Sequence, residues 1–169
     1  VTDMVVTDSY GVWVGQGTSL QQSTNGGWTW KGPASVTGIS AVNSIAYDVD
    51  TKAILVGGTA GEVFYSTDGK FPGPAVGGAS GIGAGATNVK VAFGPDFSTN
   101  DKIFAADAAG IVDGVFYFTV STSTSWSSAL TTTLTGGVTD MVAAPDGTFY
   151  VVDTNAGAGL QRTLDITRK

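Results

Sequence analysis

The sequence predicts an all-β protein assembled from four repeated antiparallel meanders, and three observations predict it. The phrase Val1-Thr2-Asp3-Met4-Val5 recurs as Val138-Thr139-Asp140-Met141-Val142. Short runs of β-branched and aromatic residues alternate with Asp-, Pro- and Gly-containing turns along the chain, which is how strands and their reversals read. No stretch carries a sustained 3.6-residue apolar period with helix caps.

The elements follow in order. Two looser copies of the opening phrase, Val42-Asn43-Ser44-Ile45-Ala46 and Val89-Lys90-Val91-Ala92-Phe93, place unit starts at 1, 42, 89 and 138. Each first run is followed by turn chemistry: Asp8-Ser9-Tyr10-Gly11, Asp48-Val49-Asp50, Gly94-Pro95-Asp96 and Pro145-Asp146-Gly147. Asp bonds local backbone in such turns and Gly supplies positive φ. Second runs are Val12-Trp13-Val14, Ile54-Leu55-Val56, Ile103-Phe104-Ala105 and Phe149-Tyr150-Val151-Val152. Third runs are Leu20-Gln21-Gln22-Ser23, Val63-Phe64-Tyr65-Ser66, Val115-Phe116-Tyr117-Phe118 and Leu160-Gln161-Arg162-Thr163. A fourth strand is expected at Trp28-Thr29-Trp30, within Phe71–Val76 and within Trp126–Leu134, and the last unit reaches Lys169 before one forms.

A unit of about 40–50 residues with three or four strands has the size of a β-propeller blade. The expected division is 1–41, 42–88, 89–137 and an incomplete 138–169. Closed rings usually hold about six to eight blades, with about four as the lower limit. The expectation is therefore a portion of a larger propeller, with Val1 already inside a strand pattern. The alternative is that copies complete one another through open blade edges, by strand addition.

Composition narrows the function. Hydrophobic residues are 42% of 169, enough for a core, and four Trp, five Tyr and eight Phe argue against disorder. The absence of Cys removes disulfides, thiol nucleophiles and zinc-thiolate sites, and the absence of His removes the usual general base and imidazole ligand. With a net charge of −6 and only Arg162 and Arg168 as arginines, the phosphate neutralisation that nucleic acid requires is missing. No apolar run approaches the roughly 18–20 residues that span a bilayer.

One turn carries a family signature. Ser23-Thr24-Asn25-Gly26-Gly27-Trp28-Thr29-Trp30 resembles the Asp-box, or bacterial neuraminidase repeat, Ser-x-Asp-x-Gly-x-Thr-Trp. It departs only in Asn25, which offers the same acceptor. Ser66-Thr67-Asp68-Gly69-Lys70-Phe71 is a truncated copy without the Thr-Trp ending, and Ser121–Trp126 and Thr163-Leu164-Asp165 keep still less. The resemblance implies a hairpin turn whose Asn or Asp oxygen caps backbone N–H groups and whose last Trp packs between blades. Ser23, Asn25, Gly27, Thr29, Trp30, Ser66, Asp68 and Gly69 are accordingly read as structural, with no catalytic role. The phrase from Val89 to Phe104 is also similar to those of uncharacterised prokaryotic cell-surface propellers.

Families that resemble this one include sialidases and endoglucanases. The sialidase site that the resemblance implies needs three arginines and a Tyr–Glu pair, whereas this chain has two arginines and Glu62 as its sole glutamate. A two-carboxylate glycosidase needs paired acids about 5–10 Å apart. Thirteen Asp are present, but Asp8, Asp48, Asp50, Asp96, Asp101 and Asp146 sit in turns, and Asp3 and Asp140 repeat at one position. Asp107, Asp113 and Asp153, after second strands, are rim candidates for ligand contact. Asp48/Asp50 and Asp96/Asp101 offer oxygen ligands that suit Ca²⁺, without EF-hand spacing, so ordinary turns are expected and no cofactor. Gly77–Gly85 lacks the Lys-Ser/Thr ending of a phosphate loop.

The expectation is a non-enzymatic extracellular scaffold or recognition module of a cell-surface or surface-layer-like assembly. Its partners would be other protein subunits or cell-surface glycans, met through rim loops and the aromatics Tyr10, Trp13, Tyr47, Tyr65 and Trp126. Core packing is the expectation for most of those five. The alternative is a fragment of a secreted glycoside hydrolase.

Overall fold

Each β-branched run is followed by a turn that reverses the chain, so successive runs pair antiparallel with their sequence neighbours. The computed structural model describes residues 1–78, 81–110, 114–130, 134, 136–144, 146–154 and 159–163. The first sheet holds β1 (Asp3–Val6), β2 (Val12–Gln16), β3 (Ser19–Ser23) and β4 (Ala34–Ser35); the second holds β5 (Val42–Tyr47), β6 (Ile54–Gly58) and β7 (Val63–Ser66). The third holds β8 (Val89–Phe93), β9 (Lys102–Asp107), β10 (Val115–Thr119) and β11 (Ser127–Leu130); the fourth holds β12 (Val138–Ala143), β13 (Phe149–Asp153) and β14 (Gly159–Thr163). Strand order within every sheet follows chain order or its reverse. The first strands lie side by side, β1 against β5, β5 against β8 and β8 against β12. This is a β-propeller, with four blades radiating from their first strands.

Aspartates close the turns between first and second strands. Asp8 Oδ1 accepts the N–H groups of Tyr10 and Gly11 at 2.8 and 2.6 Å. Asp48 Oδ1 accepts from Thr51 N and Oγ1 at 2.9 and 2.6 Å, and Asp146 Oδ1 accepts from Thr148 N at 2.9 Å. Bonds from backbone N–H favour the charged carboxylate, so those bonds hold Asp8 and Asp146 below the usual Asp range.

Three apolar layers fill the spaces between blades. Trp13 and Leu20 meet Val42, Ile45, Ile54, Val56 and Phe64 between the first and second. Leu55 and Val63 meet Val91, Phe93, Ile103 and Phe118 between the second and third. Phe104 and Val115 meet Val138, Met141, Phe149 and Val151 between the third and fourth. Packing at the second junction leaves no room for a side chain at residue 57. A Cβ on Gly57 would strike the Val89 carbonyl and lie 2.7 Å from Ser44 Oγ, where Ser44 Oγ donates to Val89 O at 2.7 Å.

Three features differ from the sequence reading. The first blade's fourth strand is Ala34–Ser35, which pairs with Ser19 and Leu20, and not Trp28-Thr29-Trp30. The turn bonds that hold Asn25 to Thr29 keep residues 28–30 out of the ladder. In the second unit, Phe71–Val76 forms no strand; Phe71 makes one isolated parallel bridge to Val36 of the first. In the third unit β11 lies inside the expected Trp126–Leu134 span. Asp96–Asp101 is more than a turn: it carries α1 (Phe97–Asn100), flanked by Asp96 and Asp101 at φ 56° and 53°. Burial of Phe97 draws this segment inward, 4.6 Å from the Phe93 ring.

Candidate functional site

The turn from Ser23 to Trp30 is a closed hydrogen-bond circuit. Ser23 Oγ, fully buried, donates to Asn25 Oδ1 at 3.0 Å and accepts the N–H groups of Asn25 and Gly27 at 3.3 and 2.8 Å. Asn25 Oδ1 also accepts Thr29 N at 2.9 Å, and Asn25 Nδ2 donates to Thr29 Oγ1 at 2.8 Å. Gly27 sits at φ 89°, in the left-handed region that side chains resist. In the second unit, Ser66 Oγ donates to Asp68 Oδ1 at 3.1 Å, which accepts Lys70 N at 3.0 Å. The Lys70 N–H and Ser66 hydroxyl bonds, with the ammonium of Lys70, hold the exposed Asp68 carboxyl below its ordinary range.

Trp30 does not pack between blades as the motif implies. It is 42% exposed and Trp28 is 89% exposed. The space between the first two blades is filled instead by Trp13 from β2. Its ring lies over the second turn, where a Cβ on Gly69 would come within 2.8 Å of Trp13 Cη2. Trp13 is thus core, as is most of Trp126, whose Nε1 donates to Val76 O at 3.0 Å and whose ring stacks 5.4 Å from Phe118. Tyr65 packs 6.0 Å from Phe97. Tyr47 is half-buried, and Tyr10 stands exposed in the β1–β2 turn.

The rim aspartates separate. Asp107 is buried, and its Oδ1 accepts Thr87 N and Ala109 N, both at 3.0 Å. Asp153 is buried at the end of β13. Asp113 lies outside the described residues, as does Asp165. Among the described residues no three His, Cys, Asp or Glu side chains converge as metal ligands. Asp48 is engaged by Thr51, and α1 intervenes between Asp96 and Asp101.

Glu62, the sole glutamate, has a structural place that sequence reasoning missed. Its Oε1 accepts Ser40 N and Ser40 Oγ at 2.9 and 2.6 Å, and its Oε2 accepts Ala60 N at 2.8 Å. Burial works to raise its pKa; the bonds from Ser40 and Ala60 outweigh burial and leave it below the ordinary Glu value. A lone glutamate in a chain this poor in charge was the available signal. The repeat of Asp3 at Asp140 pointed to a structural role, but not to its partner. Asp3 Oδ2 accepts Ile45 N at 2.7 Å across the first blade junction.

A concave feature lies where the first strands end. A cleft of about 700 Å³ opens there, lined by segments of all four sheets. Asp3, Asp48, Asp50, Asp96 and Asp140 bring carboxylates to its wall, and Lys90 is the one ammonium in the lining. Tyr47 also lines it. Burial, then the carboxylates of Asp8 and Asp48, raises the Tyr47 hydroxyl above its ordinary pKa, so it remains a neutral donor. The cleft is anionic and carries no imidazole, thiol or glutamate. The sequence did not show it, because its wall is assembled from four segments that lie far apart in the chain.

No family model matches the sequence, and no curated protein matches it. Solved structures do resemble the fold. A chain of a nidogen/laminin complex aligns over 99% of this chain with a TM-score of 0.70 and 11% identity. A structural genomics protein of unknown function from Bacteroides thetaiotaomicron aligns over 94% with a TM-score of 0.64 and 14% identity. YCF48 bound to D1 peptide aligns over 95% with a TM-score of 0.59 and 18% identity. This chain spans 62%, 42% and 54% of those three chains, respectively. At these identities the likeness establishes a shared β-propeller fold.

Proposed function

We propose that the chain is a non-enzymatic β-propeller recognition module that binds protein partners at its inner-strand cleft, as part of an extracellular, cell-surface assembly. The cleft carries the proposal: about 700 Å³ walled by all four sheets, with several carboxylates facing one ammonium. A wall of that charge attracts a cationic segment and steers its approach. Two propellers of the same fold are seen with protein partners, one in a nidogen/laminin complex and one bound to D1 peptide, which supports a protein ligand here. Against turnover, the aspartates with assigned bonds hold local backbone, and Glu62 holds Ser40 and Ala60. The low charge and lack of Cys and His, with the surface-propeller resemblance, support a place outside the cell.

Calorimetric titration of the chain with lysine-rich, neutral and glutamate-rich peptides of equal length tests the reading. Binding of the lysine-rich peptide, weakened by salt, is expected. Binding independent of peptide charge, or release of sugar from a glycan substrate that one Asp substitution abolishes, would overturn it.

A further inference from the structure

The four first strands share one position, and its occupants differ in chemistry. Asp3, Ser44, Lys90 and Asp140 each pair with the penultimate residue of a second strand, namely Gly15, Gly57, Ala106 and Val152. All four side chains line the inner-strand cleft. Asp3 Oδ2 accepts Ile45 N at 2.7 Å, and Ser44 Oγ donates to Val89 O at 2.7 Å, each across a blade junction. Asp140 Oδ1 accepts Met141 N of its own strand at 2.9 Å. Lys90 has no such bond: among the described residues its ammonium makes neither a hydrogen bond nor an ion pair. Other lysines do have partners. Lys31 Nζ donates to Gln22 Oε1 at 2.8 Å, Lys70 Nζ lies 3.6 Å from Asp68 Oδ2, and Lys102 lies over the Tyr117 ring.

The backbone that carries Lys90 is firmly placed. Its strand, β8, packs against both β5 and β12. Val89 and Val91 on either side are buried, and Val89 O is held by Ser44 Oγ and Asn43 Nδ2 at 2.7 and 3.0 Å. Strand alternation sends the side chain between two such residues to the opposite face, where Lys90 is half-buried in the cleft lining. A fixed strand thus presents one unpaired ammonium within an anionic wall. That ammonium repels a uniformly cationic segment at one point and attracts a carboxylate at the same point. Charge placement of this kind fixes register and selects between partners.

We propose that Lys90 determines which basic segment the cleft accepts: one interrupted by a single Asp or Glu, whose carboxylate pairs with the Lys90 ammonium. The proposal rests on the cleft being where the partner binds. The surrounding carboxylates take the basic residues that flank the acid. Long-range field and local contact then make opposite demands. A wall of negative charge alone ranks ligands by their net positive charge, so exchanging a central glutamate for glutamine would tighten binding. Lys90 reverses that order at the one ligand position opposite it.

Calorimetric titration of the full chain with two lysine-rich peptides tests this, one with a central glutamate and its twin with glutamine there. The wild-type chain is expected to bind the glutamate peptide about two- to fivefold tighter, the range of a partly exposed ion pair. Lys90→Met removes the ammonium and keeps an apolar stem, so the order is expected to reverse in favour of the glutamine twin. Lys90→Arg keeps the charge and is expected to keep the glutamate preference, which a merely structural role for the side chain would not require. Circular dichroism checks that both variants are folded, and the wild-type comparison stands without them. Equal binding of the twins by the wild type, tighter binding of the glutamine twin, or a glutamate preference that survives in Lys90→Met would overturn the proposal and leave the cleft reading standing. Failure of both twins to bind would overturn the two together.

Discussion

The main-chain N–H of Ile45 donates to Asp3 Oδ2 at 2.7 Å, joining the innermost strands of the first two blades. Strand neighbours within a blade share a ladder, but strands of different blades have none, so a side chain supplies the bond. The second junction solves the same problem with Ser44 Oγ and Asn43 Nδ2, which donate to Val89 O at 2.7 and 3.0 Å. Asp3→Ala leaves the Ile45 N–H without this acceptor, and a lost bond to a charged group costs about 1.5–3 kcal/mol. Urea unfolding should show that loss, with a smaller one for Asp3→Asn, which keeps an acceptor oxygen.

Glu62 ties the loop at Ser40 to the β6–β7 turn through three bonds. Glu62→Gln keeps one acceptor oxygen but turns an NH₂ toward the Ala60 N–H, so a loss of about 1–3 kcal/mol is expected. The pH dependence has a definite sign. The folded pKa is depressed below the ordinary Glu value, so the stabilisation is complete above that value. It is lost as pH falls from there through the lower folded pKa. Urea midpoints across this acid range should fall for the wild type and vary less for Glu62→Gln.

Between the first two blades, the tryptophan that packs is Trp13, and neither Trp28 nor Trp30 of the turn. Trp13→Ala opens a cavity over Gly69 and Ile54 and should cost about 3–5 kcal/mol. Trp28→Ala touches an exposed ring and should fall within about 0.5 kcal/mol of wild type. Thermal unfolding followed by tryptophan fluorescence separates the two, and equal losses would return the interblade role to the turn.

In the turn after β3, Ser23→Ala removes a buried hydroxyl that serves the N–H groups of Asn25 and Gly27. A loss of about 1–2 kcal/mol in urea unfolding is expected. Asn25→Asp, the residue usual in the family it resembles, keeps the oxygen that accepts Ser23 Oγ and Thr29 N. Thr29 Oγ can then donate where it now accepts, so this variant should remain close to wild type.

How much of this was legible in the sequence follows from the range of each interaction. The β-branched runs and Asp turns are local, and the all-β, four-sheet propeller reading came from them. Trp28-Thr29-Trp30 misled because a strand-like composition sits inside a turn that Asn25 and Thr29 hold closed. Trp13 was a surface candidate because nothing near it in sequence reveals that Gly69, 56 residues on, leaves room for its ring. The cleft and the Asp3–Ile45 bond join residues from different blades, and only the packing of blades creates them. The repetition of Asp3 at Asp140 was visible, but the bond from Ile45 N to Asp3 across the first junction was not.

The central claim is that the cleft is where this protein meets its partner. The most direct test is an NMR titration of the ¹⁵N-labelled chain with a lysine-rich peptide, mapping amide shifts onto the fold. The account predicts shifts concentrated at the ends of the first strands and the turns after them, around Tyr47, Asp50, Asp96 and Asp140, and reduced in an Asp50→Asn, Asp96→Asn double variant. Shifts confined to the outer strands, or no shifts at all, would contradict it.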